Sequence, residues 1–202
     1  TFEVVFQGAH LLLDAFKRGG RPEDFAPERF ASMEQLLHTQ LAQADTMVAN
    51  AYRAMGSFET WNAWTQFWLG QVLFHDLWLQ RACFNYFGSG DRNSFDGFLS
   101  EQRPGTEAPF HSDKVCMLKA IEQQLQAFEA GEVHAEEAAI QMLKELEKRD
   151  WLPKNVYPWG DSKARHVDFS LESSVGALLN WGKTASPKHI REELFDFELP
   201  SA

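Results

Sequence analysis

SFETWNAWTQFW, residues 57–68, places three tryptophans and two phenylalanines within twelve positions of an acidic chain. Ser57 is a favoured helix N-cap residue, and Glu59 falls in the first turn, where a carboxylate stabilises the positive end of the helix dipole. Gly88, Ser89 and Gly90 form the next strong stop signal. These features predict one long aromatic helix that starts after Ser57 and ends at the Gly88-Ser-Gly segment.

The aromatic side chains of this helix fall on two faces, because residues three, four and seven apart lie on the same side. One face carries Trp61, Trp64, Trp68, Val72 and His75, and the other carries Phe67, Phe74 and Trp78. A helix with two aromatic faces is predicted to lie between layers, and each buried tryptophan N–H needs an acceptor. Two interpretations stay open. The tryptophans are either core, or Trp61, Trp64 and Trp68 line a pocket for an aromatic substrate, since such pockets are mostly apolar.

The rest of the chain is also predicted to be helical. The expected helices run from residue 1 to Gly19-Gly20, from Pro27 to Gly56, from Ser112 to Ala130, from His134 to Arg149, and over 173–181 and 187–196, with a short turn of helix at 93–99. The expected loops are 100–109 and 150–172, and strand signals are limited to Val4-Val5 and Val156-Tyr157. The sequence therefore predicts an all-α protein, an irregular bundle of six to seven helices.

Composition narrows the possible partners. The chain has 202 residues, enough for one domain with a core, and its 29 acidic and 19 basic residues give a net charge of -10. That surplus of negative charge opposes binding to nucleic acid or to an anionic membrane. Cys83 and Cys116 form no CxxC motif. We therefore expect no nucleic-acid and no membrane partner, and we interpret the chain as cytoplasmic.

Motifs for chemistry are missing from the sequence. None of the seven histidines follows an acidic residue by three positions, as the Glu-x-x-His ligands of a di-iron bundle require. No GxSxG, GxGxxG or P-loop motif is present either. We therefore predict no catalytic residue and no metal site in this chain.

The first helix is unusual because its apolar residues go nearly all the way round the helix axis. Val4, Val5 and Phe6 lie on three different sides of it, and Leu11, Leu12 and Leu13 repeat those directions two turns later. A helix that is apolar on every side is normally buried on every side. We expect that a domain preceding Thr1 covers the far side and that the chain is truncated; the alternative is a central helix of this bundle.

Three stretches resemble one enzyme family. They are MVANAYRAMGSFETWNAWTQFW (47–68), TFEVVFQGAHLLLDAF (1–16) and VYPWGDSKARH (156–166). They resemble the C-terminal region of flavin-dependent halogenases and related FAD-dependent oxidoreductases, including monooxygenase-like members. The family's dinucleotide-binding glycine motif, catalytic lysine and GWxWxIP signature have no counterpart here. The resemblance therefore implies the helical C-terminal part of a larger α/β flavoprotein, without chemistry of its own.

The resemblance also implies a division of roles. Residues 1–20 would form a helix that links this chain to an FAD-binding domain of the same protein, and that domain would be its partner. Residues 21–202 would form a helical substrate-side domain. Thr1 and Phe2 would approach FAD through free N–H groups at the helix start, although this chain alone would not retain FAD. Trp61, Trp64 and Trp68 would form a wall of a site for a small aromatic or polyketide-like substrate. The alternative function is a free-standing helical bundle that binds an apolar ligand or a protein partner.

Overall fold

The computed structural model describes residues 2–90, 111–164 and 176–195, and every regular element within these ranges is helical. The helices are α1 Phe2–Lys17, α2 Ala31–Ala54, α3 Phe58–Ser89, α4 His111–Glu129, α5 Ala135–Glu147, α6 Gly176–Thr184 and α7 Lys188–Ile190, with 3-10 turns at Pro22–Phe25 and Pro27–Phe30 and a π-helical turn at Arg191–Phe195. The predicted all-α class is thereby confirmed. Across the described ranges, no helix combines the length and apolarity needed to cross a membrane.

Both ends of α3 follow the capping signals in the sequence. The Ser57 Oγ accepts a hydrogen bond from the Thr60 backbone N–H at 3.2 Å, which satisfies one of the free donors of the first turn. Gly90 ends the helix in the left-handed conformation, with φ 68°. The Thr60 hydroxyl also donates to the Ala54 carbonyl at 2.7 Å, and this bond ties the end of α2 to the start of α3.

Several predicted boundaries differ from the structure. Pro27 begins a 3-10 turn rather than α2, which starts at Ala31, since short 3-10 turns are common where a chain enters a helix. Val4-Val5 lies inside α1 and Val156-Tyr157 lies in a turn, so neither pair forms a strand. The last predicted helix is a short α7 followed by a π-helical turn. The predicted turn at 93–99 and loop at 100–109 lie outside the described residues.

The core sits between α3, α4 and α5. Helices α4 and α5 form an αα-hairpin, which turns at Gly131 with φ 74°. Helix α5 makes its most extensive contacts with α3 and α4. The largest fully buried side chains are Trp64, Phe67, Phe74, Met117, Ile121, Leu125, Met142, Leu146, Leu152, Ile190 and Leu194. Burial of these apolar surfaces is the main force that holds the helices together.

An ionic cluster anchors the irregular segment that follows α5. The Trp151 indole N–H donates to Asp113 Oδ2 at 2.7 Å, and Arg149 Nε lies 2.9 Å from the same oxygen. Arg149 also pairs with Glu145 at 3.4 Å. Since Asp113 lies in the first turn of α4, this cluster fixes the end of α5 against the start of α4.

The C-terminal elements close one side of the core. Trp181 of α6 packs edge-to-face on Phe195 at 5.9 Å and on Phe74 of α3 at 6.5 Å. A side chain at Gly182 would overlap the Phe195 ring, so glycine permits this close approach.

Candidate functional site on helix α3

The three tryptophans predicted to line a substrate pocket occupy different environments. Trp64 is fully buried, and its ring centroid lies 5.1 Å from that of Phe67. Trp61 is half-buried and packs against the core, whereas Trp68 is 43% exposed. Trp64 therefore belongs to the core, while Trp61 and Trp68 lie towards the surface.

An apolar ridge runs along the outer face of α3. Its members are Phe58, Trp61, Trp68 and Val72, all exposed except the half-buried Trp61. Their spacings of 3, 7 and 4 residues keep them on one side of the helix over about 21 Å, at a rise of about 1.5 Å per residue. We call these four residues the aromatic ridge. Such a surface on a helix is typical of a binding face rather than of a solvated one.

The second predicted aromatic face of α3 belongs to the core at Phe67 and Phe74. Phe67 and Phe74 are buried, and Phe74 makes an edge-to-face contact with Trp151 at 5.1 Å. Helix α3 therefore has aromatic residues on two faces, as predicted; Phe67 and Phe74 of one face are buried, whereas the other face holds both the buried Trp64 and the exposed Trp68. The side chains of His75 and Trp78 lie outside the described residues.

Two amide side chains of α3 bind the irregular segment after α5. The Gln66 Nε2 donates to the Asp161 carbonyl at 2.9 Å, and its Oε1 accepts from the Gly160 backbone N–H at 3.0 Å. One turn earlier, Asn62 Nδ2 donates to the Ser162 carbonyl at 3.4 Å. We call this set of three bonds the amide clamp. From the sequence, no role is predicted for either amide, and their burial, which requires hydrogen-bond partners, is visible only in the structure.

The clamped turn also lies close against α5. Gly160 has φ 87°, and a Cβ there would meet the Leu143 carbonyl and the Glu147 Cβ at 2.9 Å. Burial, and the nearby Asp161 carboxylate, raise the pKa of the Tyr157 phenol above its usual value. The segment is therefore a packed part of the fold, although it has no regular secondary structure.

Two buried donors near α3 stay unpaired within the described residues: Trp64 Nε1 and Asn50 Nδ2. The Asn50 side chain uses its oxygen to accept from Arg53 at 2.8 Å. Since Thr60 bonds to Ala54 across the turn between α2 and α3, Asn50 and Trp64 each lie one turn beyond that contact. Within the described residues, this level of the α2–α3 pair therefore contains two donors of a kind that costs about 1–3 kcal/mol when no acceptor reaches it.

The predicted cofactor contacts remain predictions. Thr1 lies outside the described residues, and Phe2 is the first residue of α1, with a side chain that is not described. The described ranges contain no group of three or more His, Cys, Asp or Glu side chains arranged as metal ligands are.

Comparison with known proteins identifies two distant relatives, both of them halogenases. The chain is 24% identical over 174 residues to tetracycline 7-halogenase of Kitasatospora aureofaciens, a match that covers 86% of this chain and 31% of that protein. It is 24% identical over 196 residues to the monodechloroaminopyrrolnitrin halogenase PrnC of Pseudomonas fluorescens, covering 93% of this chain and 34% of that protein. No family model matches the sequence.

The chain therefore spans about one third of the length of the curated relatives that it matches. The predicted resemblance to halogenases is confirmed as a distant relationship over most of the chain. Its position at the C-terminal end of a parent protein stays a prediction.

Proposed function

We propose that this chain is the helical, substrate-side part of a larger halogenase- or monooxygenase-type flavoprotein. The observation that carries the proposal is the similarity to two halogenases over 86% and 93% of the chain. In this proposal the chain supplies binding surface, and the oxidative chemistry belongs to the remaining part of the protein.

The cofactor in this proposal is FAD, bound by the rest of the protein. Helix α1 then enters the contact between the two parts, with its first residues, Thr1 and Phe2, nearest the flavin. The first N–H groups of a helix have no partner within the helix, and they favour anionic groups. FAD contributes the redox chemistry when bound, and the described residues contribute no step to it.

The aromatic ridge is the part of α3 that we assign to the substrate. The Trp68 side chain is partly exposed and offers a flat ring, and Trp61 joins it to the core. Trp64, at the edge of the same face, is fully buried and packs in the core. Because the two relatives are named for different compounds, we propose a class of substrate, a small aromatic or polyketide-like molecule, and no particular member.

The test uses the complete reading frame that contains this chain. Purified protein should carry FAD absorbance, and the Trp68→Ala variant should keep its melting temperature within a few degrees while it loses substrate affinity or alters the product distribution. The Trp64→Ala variant should instead lose about 3–5 kcal/mol of stability, because a fully buried ring is removed. Phe87→Ala on the same helix, where the ring is also exposed, is the matched control.

Two results would contradict the proposal. A complete protein that binds no flavin refutes the flavoprotein assignment. A Trp68→Ala variant with unchanged affinity and product distribution, in a protein that does halogenate or oxygenate, removes the aromatic ridge from the substrate site.

A further inference from the structure

Helix α2 carries a second exposed apolar face. Its exposed members are Leu37, Leu41, Ala44, Val48, Tyr52 and Met55. Leu37, Leu41 and Ala44 are followed eleven residues later, about three helical turns, by Val48, Tyr52 and Met55. The stripe therefore runs nearly straight along the helix for about 27 Å. We call these six residues the α2 stripe.

A neighbouring face of the same helix, about 100° round its axis, is already buried. Asn50, Ala51 and Ala54 are buried against the rest of the fold, and Met47 packs on the core. Helix α2 therefore presents small and apolar residues on two sides, and only the inner side is covered within the described ranges. A helix of this composition is normally covered on both sides.

The charge pattern of α2 also indicates that this face is covered by a partner. Between residues 35 and 52 the sequence has one formally charged residue, Asp45. Exposed helices usually carry charged residues on their solvent side, whereas the centres of protein interfaces are depleted of them. The surroundings of the α2 stripe therefore have the composition of an interface.

The exposed area is large enough for a stable contact. The fractional exposures of the stripe residues correspond to roughly 600 Å² of side-chain surface, close to the ~800 Å² that one partner contributes to a standard interface. Isolated apolar patches of this size on monomers are commonly functional.

We infer that the α2 stripe is the surface on which the remaining part of the parent flavoprotein docks. This inference rests on the proposed function. The two relatives extend about two thirds of their length beyond the region matched here, which supplies a covalently linked partner. The partner surface that complements the α2 stripe is flat, apolar and uncharged, because the stripe is straight and almost uncharged.

A second copy of this chain is a less suitable occupant. Two chains that each carry a net charge of -10 repel one another.

The experiment measures how fast a cysteine in the stripe reacts with a polyethylene-glycol maleimide. Val48→Cys, at a position 52% exposed, is compared with Ile140→Cys on α5, which is 49% exposed and lies between Glu137 and Lys144. Both are made with Cys83 and Cys116 replaced by serine, in this 202-residue chain and in the complete reading frame, with the fold checked by circular dichroism.

Docking predicts labelling of the Val48→Cys variant at least about tenfold slower in the complete protein than in the 202-residue chain, equivalent to about 1.4 kcal/mol of protection. The Ile140→Cys variant should react at similar rates in both. Equal rates for Val48→Cys in the two proteins overturn the inference. Protection that appears in the 202-residue chain alone, and grows with its concentration, overturns it in favour of a second copy.

The same samples separate this inference from the proposed function. A complete protein that protects Val48→Cys but holds no flavin refutes the proposed function and supports docking on the remaining chain. A complete protein that holds flavin and binds substrate, but leaves Val48→Cys unprotected, refutes the docking surface only.

Discussion

Replacing Gln66 by leucine should weaken the fold through the loss of two hydrogen bonds rather than through a loss of packing. The Gln66 side chain is 2% exposed, and both of its polar atoms bond to the backbone of Gly160 and Asp161. Leucine has a similar size and fills the space, so little cavity energy is involved. The substitution leaves one N–H and one carbonyl without their partner.

The magnitude follows from where those two backbone groups lie. An orphaned polar group costs about 1–3 kcal/mol when water cannot reach it. Gly160 is half-buried and Asp161 is exposed, so water replaces part of the loss and the lower end of the range applies to each group. We therefore expect a decrease of about 2 kcal/mol in the free energy of unfolding, a large share of the ~5–15 kcal/mol of an ordinary domain.

The assay is urea unfolding of the 202-residue chain followed by far-ultraviolet circular dichroism. Gln126→Leu, the same substitution at an exposed position of α4, is the matched control and should stay within about 0.5 kcal/mol of the parent chain. Trypsin cleavage after Lys163, which is exposed beside the clamped turn, should accelerate in the Gln66→Leu variant. A Gln66→Leu chain as stable as the Gln126→Leu chain, with unchanged cleavage after Lys163, would refute a stabilising role of the amide clamp.

Three further outcomes are expected from the same urea assay. Ser57→Ala should cost about 1 kcal/mol, because the first turn of α3 loses its cap, and Ser89→Ala at the exposed end of that helix should cost less than half as much; equal losses would contradict the cap. Because burial raises the pKa of Tyr157 in the folded chain, its contribution to stability is complete below the unfolded value of 10.0 and is lost as the pH rises through the folded value. The free energy of unfolding of the parent chain should therefore fall more above pH ~10 than that of the Tyr157→Phe variant. The same pH dependence in both chains would contradict a raised pKa of Tyr157. Gly160→Ala should destabilise more than Gly131→Ala, since both glycines have positive φ but only Gly160 has neighbours in the place of a Cβ; the reverse order would contradict the close packing.

Local signals account for the parts of the fold that sequence reasoning predicted well. Ser57 and Gly90 act on the backbone within a few residues, so the ends of α3 are readable without knowledge of the rest of the chain. The same holds for the α4–α5 hairpin, where Gly131 separates the two predicted helices. The start of α2 was misplaced because Pro27 suits the first position of either helix type.

Long-range contacts account for what could not be predicted. A helical wheel shows which residues share a side, but it does not show which side another element covers, and so Trp64 and Trp68 received the same prediction despite their different burial. The amide clamp joins positions 94 to 100 residues apart, and periodicity contains no information about such pairs. The helix predicted between Pro27 and Gly56 is present as α2, but the sequence did not show that its outer face is exposed in the described fold.

The amide clamp has a geometric consequence for α3, because it fixes the angle of the helix about its own axis. Gln66 and Trp68 are two residues apart and thus point about 200° away from each other. Any rotation of α3 that would aim the Trp68 ring elsewhere has to break the bonds of Gln66 on the other side. The direction of the exposed ring is therefore set by a contact that no molecule bound on the outer face would touch. Substitutions along the outer face can therefore change what α3 binds without changing the direction of the Trp68 ring.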